Sequence, residues 1–388
     1  MKRRALLAAF MCAALLLLGG CGGGQEIESC LFVIAMAVDP APQGNVTLTV
    51  KALSGSQDAG APRSAPQDAQ ETASGLEETE SGYITLSATA PSCLRALELL
   101  SATTPRTLNL SQLQEIVLSE TLARSGAALS VLREIYAMYR ANGAAAVVVT
   151  PDDAGDFIRR QHALLGVRLS QYLSVLFDHF SGMDTIPPDA RLAAVIAGME
   201  SSTGDAAAVY AAGNTFESTL VLEDTAQTNR LPGHLPRTSP AHNEYLGAAV
   251  FSGAAMTGTL TGSETALLCL MQGRAQTRTA VIGGAQYKTN VRTRVRRSLE
   301  GGALQVSIRM NLTRIAGSGG ESGAEIAAQI ERDCVNLIRK LQALSCDALG
   351  FGTLAVRGYA DIPAWESSLW RQTYEGMDAR VQASVRVL

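Results

Sequence analysis

The residue of this chain best suited to chemistry is Cys21, because of the residues that precede it. Residues 2–4 are basic, residues 5–18 are apolar, and Gly19-Gly20 stands directly before the cysteine. The apolar run is shorter than the roughly 20 residues that span a membrane, so it is typical of a secretory signal peptide. The order of charge, apolar run, small pair and cysteine resembles a lipobox, whose cysteine thiol accepts diacylglycerol. An ordinary signal peptide with an incidental cysteine is the alternative.

This pattern predicts how the mature chain begins and how it is held. We expect residues 1–20 to be removed as a lipoprotein signal peptide, and residues 21–27 to form a glycine-containing, lipid-anchored tether. Cleavage would remove three basic residues from a chain whose formal net charge is −4. Anionic lipid headgroups do not attract such an acidic surface. The acyl chains on Cys21 would therefore hold the protein at the membrane, each methylene contributing about 0.8 kcal/mol.

The other cysteines and the histidines lack the spacing of a metal or redox site. Cys12 lies in the signal peptide, and the five cysteines after Cys21 are odd in number and contain no C-x-x-C pair. Four of them have apolar neighbours and are interpreted as small core residues: Cys30, Cys93, Cys269 and Cys334. The histidines show no H-E-x-x-H spacing and are expected on the surface or in loops: His162, His179, His234 and His242. We therefore expect no metal and no cofactor.

The sequence also lacks the common motifs of catalysis and nucleotide binding. It contains no G-x-S-x-G, no G-x-x-x-x-G-K-[ST] and no strand-borne G-x-G-x-x-G. The paired acids Asp152-Asp153 and Glu77-Glu78 stand at a predicted helix start and in a predicted loop. Helix polarity and solubility explain both pairs better than acid–base catalysis does. We therefore predict that the chain has no catalytic residues and is not an enzyme.

Length and composition indicate a globular protein of more than one domain. The chain has 388 residues, of which 47% are hydrophobic and 18% charged, so it can build sizeable cores. The sequence pI is near 5.7, whereas nucleic-acid binding requires a strongly basic surface. Nucleic acid is therefore not an expected partner.

Strands and helices alternate in the first part of the chain, which predicts an N-terminal α/β lobe over residues 28–160. Residues 28–40 and 45–50 form a predicted strand pair around Gly44-Asn45, and the acidic, Ser- and Gly-rich residues 54–82 form a predicted disordered insert. Further strands are predicted at 83–89, 113–118 and 144–149, and helices after Pro91, near 120–140, after Pro151 and near 164–180. Residues 161–244 form a predicted middle segment that ends in a proline-rich linker.

The last part of the chain, residues 245–388, predicts a C-terminal α+β lobe. Hairpins are expected at 245–260 and 287–315, the second with Gly301-Gly302 at its turn, followed by a long helix over 326–344 and a closing strand at 379–388. The predicted fold class is α+β or mixed α/β, with mixed or antiparallel sheets each backed by helices. One long helix is expected in the C-terminal lobe.

Three features of this C-terminal lobe permit a functional and a structural interpretation. Seven basic residues form either a docking face for an acidic partner or a solvated sheet face. They are the arginines at 292, 294 and 296, with Arg297, Lys288, Arg309 and Arg314. Asp347-x-x-Gly350-Phe351-Gly352 is either a functional turn or a helix C-terminus whose Phe packs on the sheet. Trp365 and Trp370 are either a ligand cage or buried anchors. The structural interpretation is favoured for all three.

The order of these motifs resembles the Ger(x)C family of spore germination lipoproteins. The resemblance begins with the lipobox, FVIAMAVDP at 32–40 and TTPRTLNLSQLQEIVLSETLARSG at 103–126. It continues with LGAAVFSGAAMTGTLTGSET at 246–265 and LQALSCDALGFG at 341–352. The residues that fit the family pattern at its C-terminal end are Gln342, Asp347, Gly350, Phe351, Gly352, Pro363, Trp365 and Trp370.

The resemblance implies the C subunit of a nutrient-germinant receptor. Such a subunit is a non-enzymatic scaffold or signalling component of spore germination, lipid-anchored on the extracytoplasmic face of the spore inner membrane. Its implied partners are the polytopic A and B subunits of the receptor. Two alternatives remain open: a solute-binding lipoprotein that serves a membrane transporter, and a secreted hydrolase, for which the sequence offers no nucleophile and base.

Overall fold

The computed structural model describes most of the chain after its first 28 residues. The described ranges are 29–53, 82–138, 141–163, 168–180, 185–214, 229–233, 235, 243–274, 279–282, 285–289, 293–316 and 322–388. The signal peptide, Cys21 and residues 54–81 lie outside these ranges, as do Arg292, His234 and His242. The expectations for these residues therefore stay predictions.

The described residues form fourteen strands and eleven α-helices. The strands are β1 (Cys30–Pro40), β2 (Val46–Leu53), β3 (Tyr83–Ala90), β4 (Thr107–Asn109), β5 (Glu115–Ser119), β6 (Ala146–Thr150), β7 (Ala207–Gly213), β8 (Asn243–Ser252), β9 (Ala255–Leu260), β10 (Thr279–Ile282), β11 (Ala285–Thr289), β12 (Arg294–Glu300), β13 (Ala303–Ala316) and β14 (Asp378–Val387). The helices are α1 (Cys93–Ser101), α2 (Glu120–Arg124), α3 (Ala128–Ala137), α4 (Ala154–Arg159), α5 (Leu169–Phe180), α6 (Leu192–Glu200), α7 (Gly262–Met271), α8 (Gly323–Ala343), α9 (Gly352–Ala355), α10 (Ile362–Glu366) and α11 (Trp370–Glu375).

The first sheet has a parallel centre between two antiparallel edges. Its strand order is β3-β2-β1-β5-β6-β7-β8-β9, and β4 pairs with the start of β1. The strands β1, β5, β6 and β7 run parallel to one another, whereas β2, β3, β8 and β9 each pair antiparallel with a neighbour. Parallel strands buried on both faces are near-continuous apolar runs. The sequences of β1 and β6 have this composition, and β6 is buried throughout.

Helices pack on both faces of this sheet. Successive side chains of a strand point to opposite faces, and successive residues of β1 enter different apolar clusters. Met36 and Val38 pack with α1, α3 and α6, whereas Ala35 and Ala37 pack with α4. The two faces of the sheet are therefore buried by different sets of helices.

One of these helices differs from the sequence-based expectation, and another shows which of its faces is buried. The helix predicted near 120–140 is two helices, α2 and α3, because Gly126 has a φ of +83° between them. In α1, Leu94 is 48% exposed, whereas Cys93, Ala96 and Leu100 are buried. The buried face of α1 therefore comprises Cys93, Ala96 and Leu100, with Leu97 packed at its edge.

The second sheet is built on β13, which pairs antiparallel with β11 and β12 and parallel with β14. The turn between β12 and β13 contains Gly301 and Gly302, with φ of 59° and 73°, and two such residues in succession are typical of a tight hairpin turn. Alternate residues of β13 from Leu304 to Leu312 are buried and form one apolar cluster with residues of α8, such as Ile338. The capping box of Ser322 and Glu325 begins this helix.

These observations confirm the predicted mixed α+β class, with sheets backed by helices and one long helix in the C-terminal part. The hairpin of β8 and β9, expected in the C-terminal lobe, pairs with β7 and so belongs to the first sheet. The division of the chain between the middle segment 161–244 and the C-terminal lobe 245–388 therefore stays a prediction. Among the described residues, no helix is long and apolar enough to cross a membrane.

Candidate functional site

A buried carboxylate, Asp205, lies in the loop between α6 and β7, where the first sheet contacts the C-terminal part of the chain. Its side chain is 2% exposed. Oδ1 accepts hydrogen bonds from the amide of Gly253, at 3.0 Å, and from the guanidinium of Arg371, at 2.6 Å. Oδ2 accepts a hydrogen bond from the amide of Asp347 at 2.8 Å. One side chain therefore joins the loop before β7, the β8–β9 turn and two segments of the C-terminal part.

A second buried carboxylate, Asp347, organises the turn that follows α8. Its Oδ1 accepts a hydrogen bond from the amide of Phe351 at 2.9 Å, and its Oδ2 accepts from the amide of Gly352 at 2.7 Å and from the indole of Trp370 at 3.3 Å. Burial raises the pKa of Asp347 to about 6, although these hydrogen bonds lower it in part. These hydrogen bonds to the carboxylate all come from the protein's own amides and indole, which is typical of a carboxylate with a structural role.

The glycines of this turn let two chain segments approach closely. Gly350 has a φ of +68°, a region that favours glycine. A Cβ at Gly352 would lie 2.7 Å from the carbonyl oxygen of Thr203 and 2.7 Å from Nε1 of Trp370. α8 ends at Ala343, so these residues form the turn that leads into α9 and not the expected C-terminus of α8 itself, whereas Phe351 is buried in the core.

Aromatic side chains continue the junction beyond the turn. Tyr359, Trp365, Trp370 and Tyr374 form a row whose neighbouring ring centroids lie 5.3, 5.9 and 5.9 Å apart. Trp365 and Trp370 are buried, and Nε1 of Trp365 donates a hydrogen bond to Oγ of Ser202 at 3.0 Å. Trp365 therefore anchors the C-terminal segment to the loop before β7, and Trp370 anchors it to the turn after α8 through Asp347.

A second cluster of polar side chains is buried against the first sheet, and sequence reasoning missed it. Glu115 on β5 is fully buried, and its Oε2 accepts a hydrogen bond from the hydroxyl of Tyr245 at 3.2 Å. That hydroxyl accepts a hydrogen bond from Nε2 of Gln161 at 2.6 Å. Burial raises the pKa of Glu115 to about 7, while hydrogen bonds from Gln161 and Tyr245 to the carboxylate and the nearby Lys51 ammonium lower it in part. A lone acid in the strand sequence EIVLS was the available signal.

Lys51 lies next to this cluster and is fully buried at the end of β2. Its Nζ donates hydrogen bonds to the carbonyl oxygens of Ile158 at 3.0 Å and Arg159 at 3.4 Å, and to that of Gln161. It therefore satisfies the last carbonyls of α4, where a positive charge is favoured.

Of the two acids expected at a helix start, Asp153 caps the helix, whereas Asp152 bonds to the end of β7. Asp153 caps α4 by accepting a hydrogen bond from the amide of Asp156 at 2.8 Å. Asp152 accepts a hydrogen bond from the amide of Gly213 at 2.8 Å. The other expected pair, Glu77-Glu78, lies outside the described residues.

The described cysteines are buried and unbonded to one another. Burial raises the pKa of each of Cys93, Cys269 and Cys334 to about 12, so these thiols remain protonated and weakly nucleophilic at neutral pH. Within the described ranges, no group of three His, Cys, Asp or Glu side chains is arranged to hold a metal ion. His162 and His179 belong to this described part and join no such group.

The predicted basic stripe is divided between the two faces of the second sheet. Arg294, Arg296 and Arg309 are exposed on its outer face. Arg297 points to the opposite face, where burial lowers its pKa and the nearby Asp347 carboxylate raises it in part. Lys288 is exposed, and Arg314 lies opposite Tyr287 near the end of β13.

Comparison with known proteins gives two family matches that together span most of the chain. Residues 23–212 match the family described as spore germination protein N-terminal domain. Residues 246–388 match the family described as spore germination B3/GerAC like, C-terminal. No curated protein matches the chain significantly. The crystal structure of the GerBC protein is similar with a TM-score of 0.46 and 15% sequence identity, over 91% of this chain and 96% of that chain. By these two family matches, the chain belongs to the Ger(x)C family of spore germination proteins.

Proposed function

We propose that this protein is the lipid-anchored C subunit of a nutrient-germinant receptor. The observation that carries the proposal is the pair of family matches, over residues 23–212 and 246–388. The first match begins two residues after Cys21, the cysteine of the lipobox-like sequence. The proposed mature chain therefore coincides with the family region, and the residues before it have the composition of a removable signal.

In this role Cys21 carries the acyl chains, and the folded part works close to the extracytoplasmic face of the spore inner membrane. Two signals or acyl chains are needed for stable attachment, since one chain binds weakly, and a diacylglycerol group supplies two. Confinement to the membrane raises the effective concentration of the subunit against membrane-spanning partners. The proposed partners are the polytopic A and B subunits of the receptor.

The proposed mechanism is scaffolding and transmission of contacts, without catalysis. At the junction, the carboxylates of Asp205 and Asp347 bond to backbone amides, an indole and a guanidinium. These bonds join parts of the fold rather than present reactive groups to a substrate. A contact on the first sheet would therefore pass to the C-terminal part of the chain through a polar junction.

The solute-binding alternative makes a different demand on the structure. A solute-binding lipoprotein would need a cleft between two similar lobes. The two sheets described here differ in topology, since one has a parallel centre and the other is built around a single long strand. We therefore favour the receptor subunit. A thermal-shift screen with amino acids tests the alternative, which predicts a clear rise in melting temperature.

Membrane fractionation tests the anchor. Cys21→Ala should move the protein from the membrane pellet to the soluble fraction, because the variant has no thiol to acylate and the folded part is untouched. Cys12→Ala, in the same leader sequence, is the matched control and should leave the protein in the pellet. Retention of the Cys21→Ala protein in a detergent-soluble membrane fraction would contradict anchoring at this cysteine.

A further inference from the structure

The outer face of the second sheet carries five arginines, which we call the arginine face: Arg294, Arg296, Arg309, Arg380 and Arg386. They lie on three neighbouring strands, β12, β13 and β14. Strand residues two apart share a face, and the alternate residues Val295, Val381 and Val385 pack into the apolar cluster on the other side. The arginines are all exposed.

The strand register sets these side chains in rows across the sheet. Arg294 lies directly opposite Arg309, and Arg296 lies opposite Ser307. On the other side of β13, Arg380 lies opposite Gln305. A cleft of about 460 Å³ runs over all three strands, with the shorter Gln305 and Ser307 in its middle. Arginines from the two outer strands therefore flank a polar floor.

The charge of this face is reversed relative to the rest of the chain. The whole chain has a formal net charge of −4, yet the arginine face has acids at one end alone. These are Glu300 and Asp378, which both align with Ala303 next to the hairpin turn. None of the five arginines forms an ion pair with another described residue. The face thus has a positive end and a negative end.

Folding does not account for this arrangement. Like charges directly opposite each other on a sheet are destabilising, and Arg294 faces Arg309. Exposed strand positions accept threonine, serine or glutamine equally well, and the same face has Gln305, Ser307 and Gln382. The arginines therefore fit a surface that binds an anion better than one that only meets water.

We propose that the arginine face is a docking surface for an acidic polypeptide segment of a partner protein. Guanidinium groups bind carboxylates in bidentate geometry, and a cleft between rows of side chains accepts a chain segment with its own side chains. A bilayer presents a flat surface, and the net negative charge of the chain opposes approach to anionic lipid. This inference rests on the proposed function, since it gives the subunit a surface for a partner.

Peptide binding to the purified mature chain tests the proposal. The chain from residue 21, carrying Cys21→Ala so that acyl chains do not contribute, is titrated with a fluorescein-labelled peptide of alternating Glu and Ser. The double variant Arg294→Glu and Arg309→Glu should weaken binding about tenfold or more and reduce its salt dependence. The matched control, Arg332→Glu and Arg339→Glu on the exposed side of α8, makes the same charge change and should bind as the parent does.

The outcomes of this experiment are distinct. Equal weakening in both double variants, or no binding of the peptide by the parent chain, would overturn the proposal. Binding to phosphatidylglycerol vesicles that depends on Arg294 and Arg309, without peptide binding, would assign the face to lipid instead. Thermal melting of each variant verifies folding; if the first double variant unfolds, Arg380→Gln with Arg386→Gln replaces it. Because the assay omits the lipid, failure of the proposed anchor leaves its result unaffected.

Discussion

Replacement of Asp205 by alanine should destabilise the fold strongly, because one buried carboxylate bonds to three separate segments. Its oxygens accept hydrogen bonds from the amides of Asp347 and Gly253, at 2.8 and 3.0 Å, and from the guanidinium of Arg371 at 2.6 Å. The Asp205 side chain is 2% exposed. Water therefore cannot replace these bonds without opening the junction between the first sheet and the C-terminal part of the chain.

The size of the effect follows from the partners that the variant leaves behind. A hydrogen bond to a charged group contributes about 1.5–3 kcal/mol, and an unsatisfied buried donor costs about 1–3 kcal/mol. The Arg371 side chain is 40% exposed, so solvent screening reduces its share. We expect Asp205→Ala to lower the free energy of unfolding by about 3–5 kcal/mol. Asp205→Asn keeps the shape and one acceptor oxygen, and should cost about 1–2 kcal/mol.

Urea denaturation followed by tryptophan fluorescence measures this loss. The chain has two tryptophans, and Trp365 and Trp370 both lie at the junction, so their emission reports on it directly. Asp156→Ala is the control, since the Asp156 side chain is 58% exposed and pairs with Arg159 at the surface. This control should change stability by about 0.5 kcal/mol or less. If the free energy of unfolding of Asp205→Ala lies within about 1 kcal/mol of that of this control, the assignment of Asp205 as the link between the first sheet and the C-terminal part is wrong.

Two further predictions concern the turn after α8 and the buried acid of the first sheet. Gly352→Ala should cost about 1–3 kcal/mol in urea denaturation, because the added methyl would lie 2.7 Å from the Thr203 carbonyl oxygen. Gly358→Ala, whose added methyl meets nothing within 4 Å, should be tolerated, and equal losses would refute the packing argument. Burial raises the pKa of Glu115 from 4.5 to about 7, so its contribution to stability is present below pH 4.5 and is lost as the pH rises through about 7. Glu115→Gln should therefore reduce the decline in unfolding free energy between these pH values, and an unchanged slope would count against burial of the acid.

Local sequence signals predicted the parts of the fold that local chemistry determines. Gly301-Gly302 identified the hairpin because both residues adopt positive φ. The apolar spacing of the long helix agreed with α8, whose capping box begins at Ser322. In these elements the backbone preference and the tertiary environment require the same structure, so the sequence pattern predicts that structure without knowledge of the fold.

Elements that depend on partners distant in the sequence could not be predicted in this way. β7 has the sequence AAVYAAG, a weak strand signal, yet it lies between β6 and β8 in the first sheet. Its small side chains suit burial on both faces, a condition that the neighbouring strands create. No strand was therefore predicted in the middle segment, although it supplies an internal strand.

The junction could be predicted in part. The sequence identified Asp347, Gly352 and Trp370 as a set, through the resemblance to the family. It did not identify Asp205, which lies 142 residues before Asp347 in the chain. A single acid in a loop has no periodicity, and its role comes entirely from the segments that the fold brings to it. The same holds for Glu115, whose partner Tyr245 lies 130 residues away.

The proposed role is tested most directly by the proteins that co-purify with this chain. The protein is tagged at Leu388, which is 61% exposed, extracted from membranes of sporulating cells in a mild detergent, and analysed by mass spectrometry. A receptor subunit should be recovered with two polytopic membrane proteins in a constant ratio. Recovery of the chain alone from the soluble fraction, or together with the permease of a solute transporter, would contradict the receptor assignment.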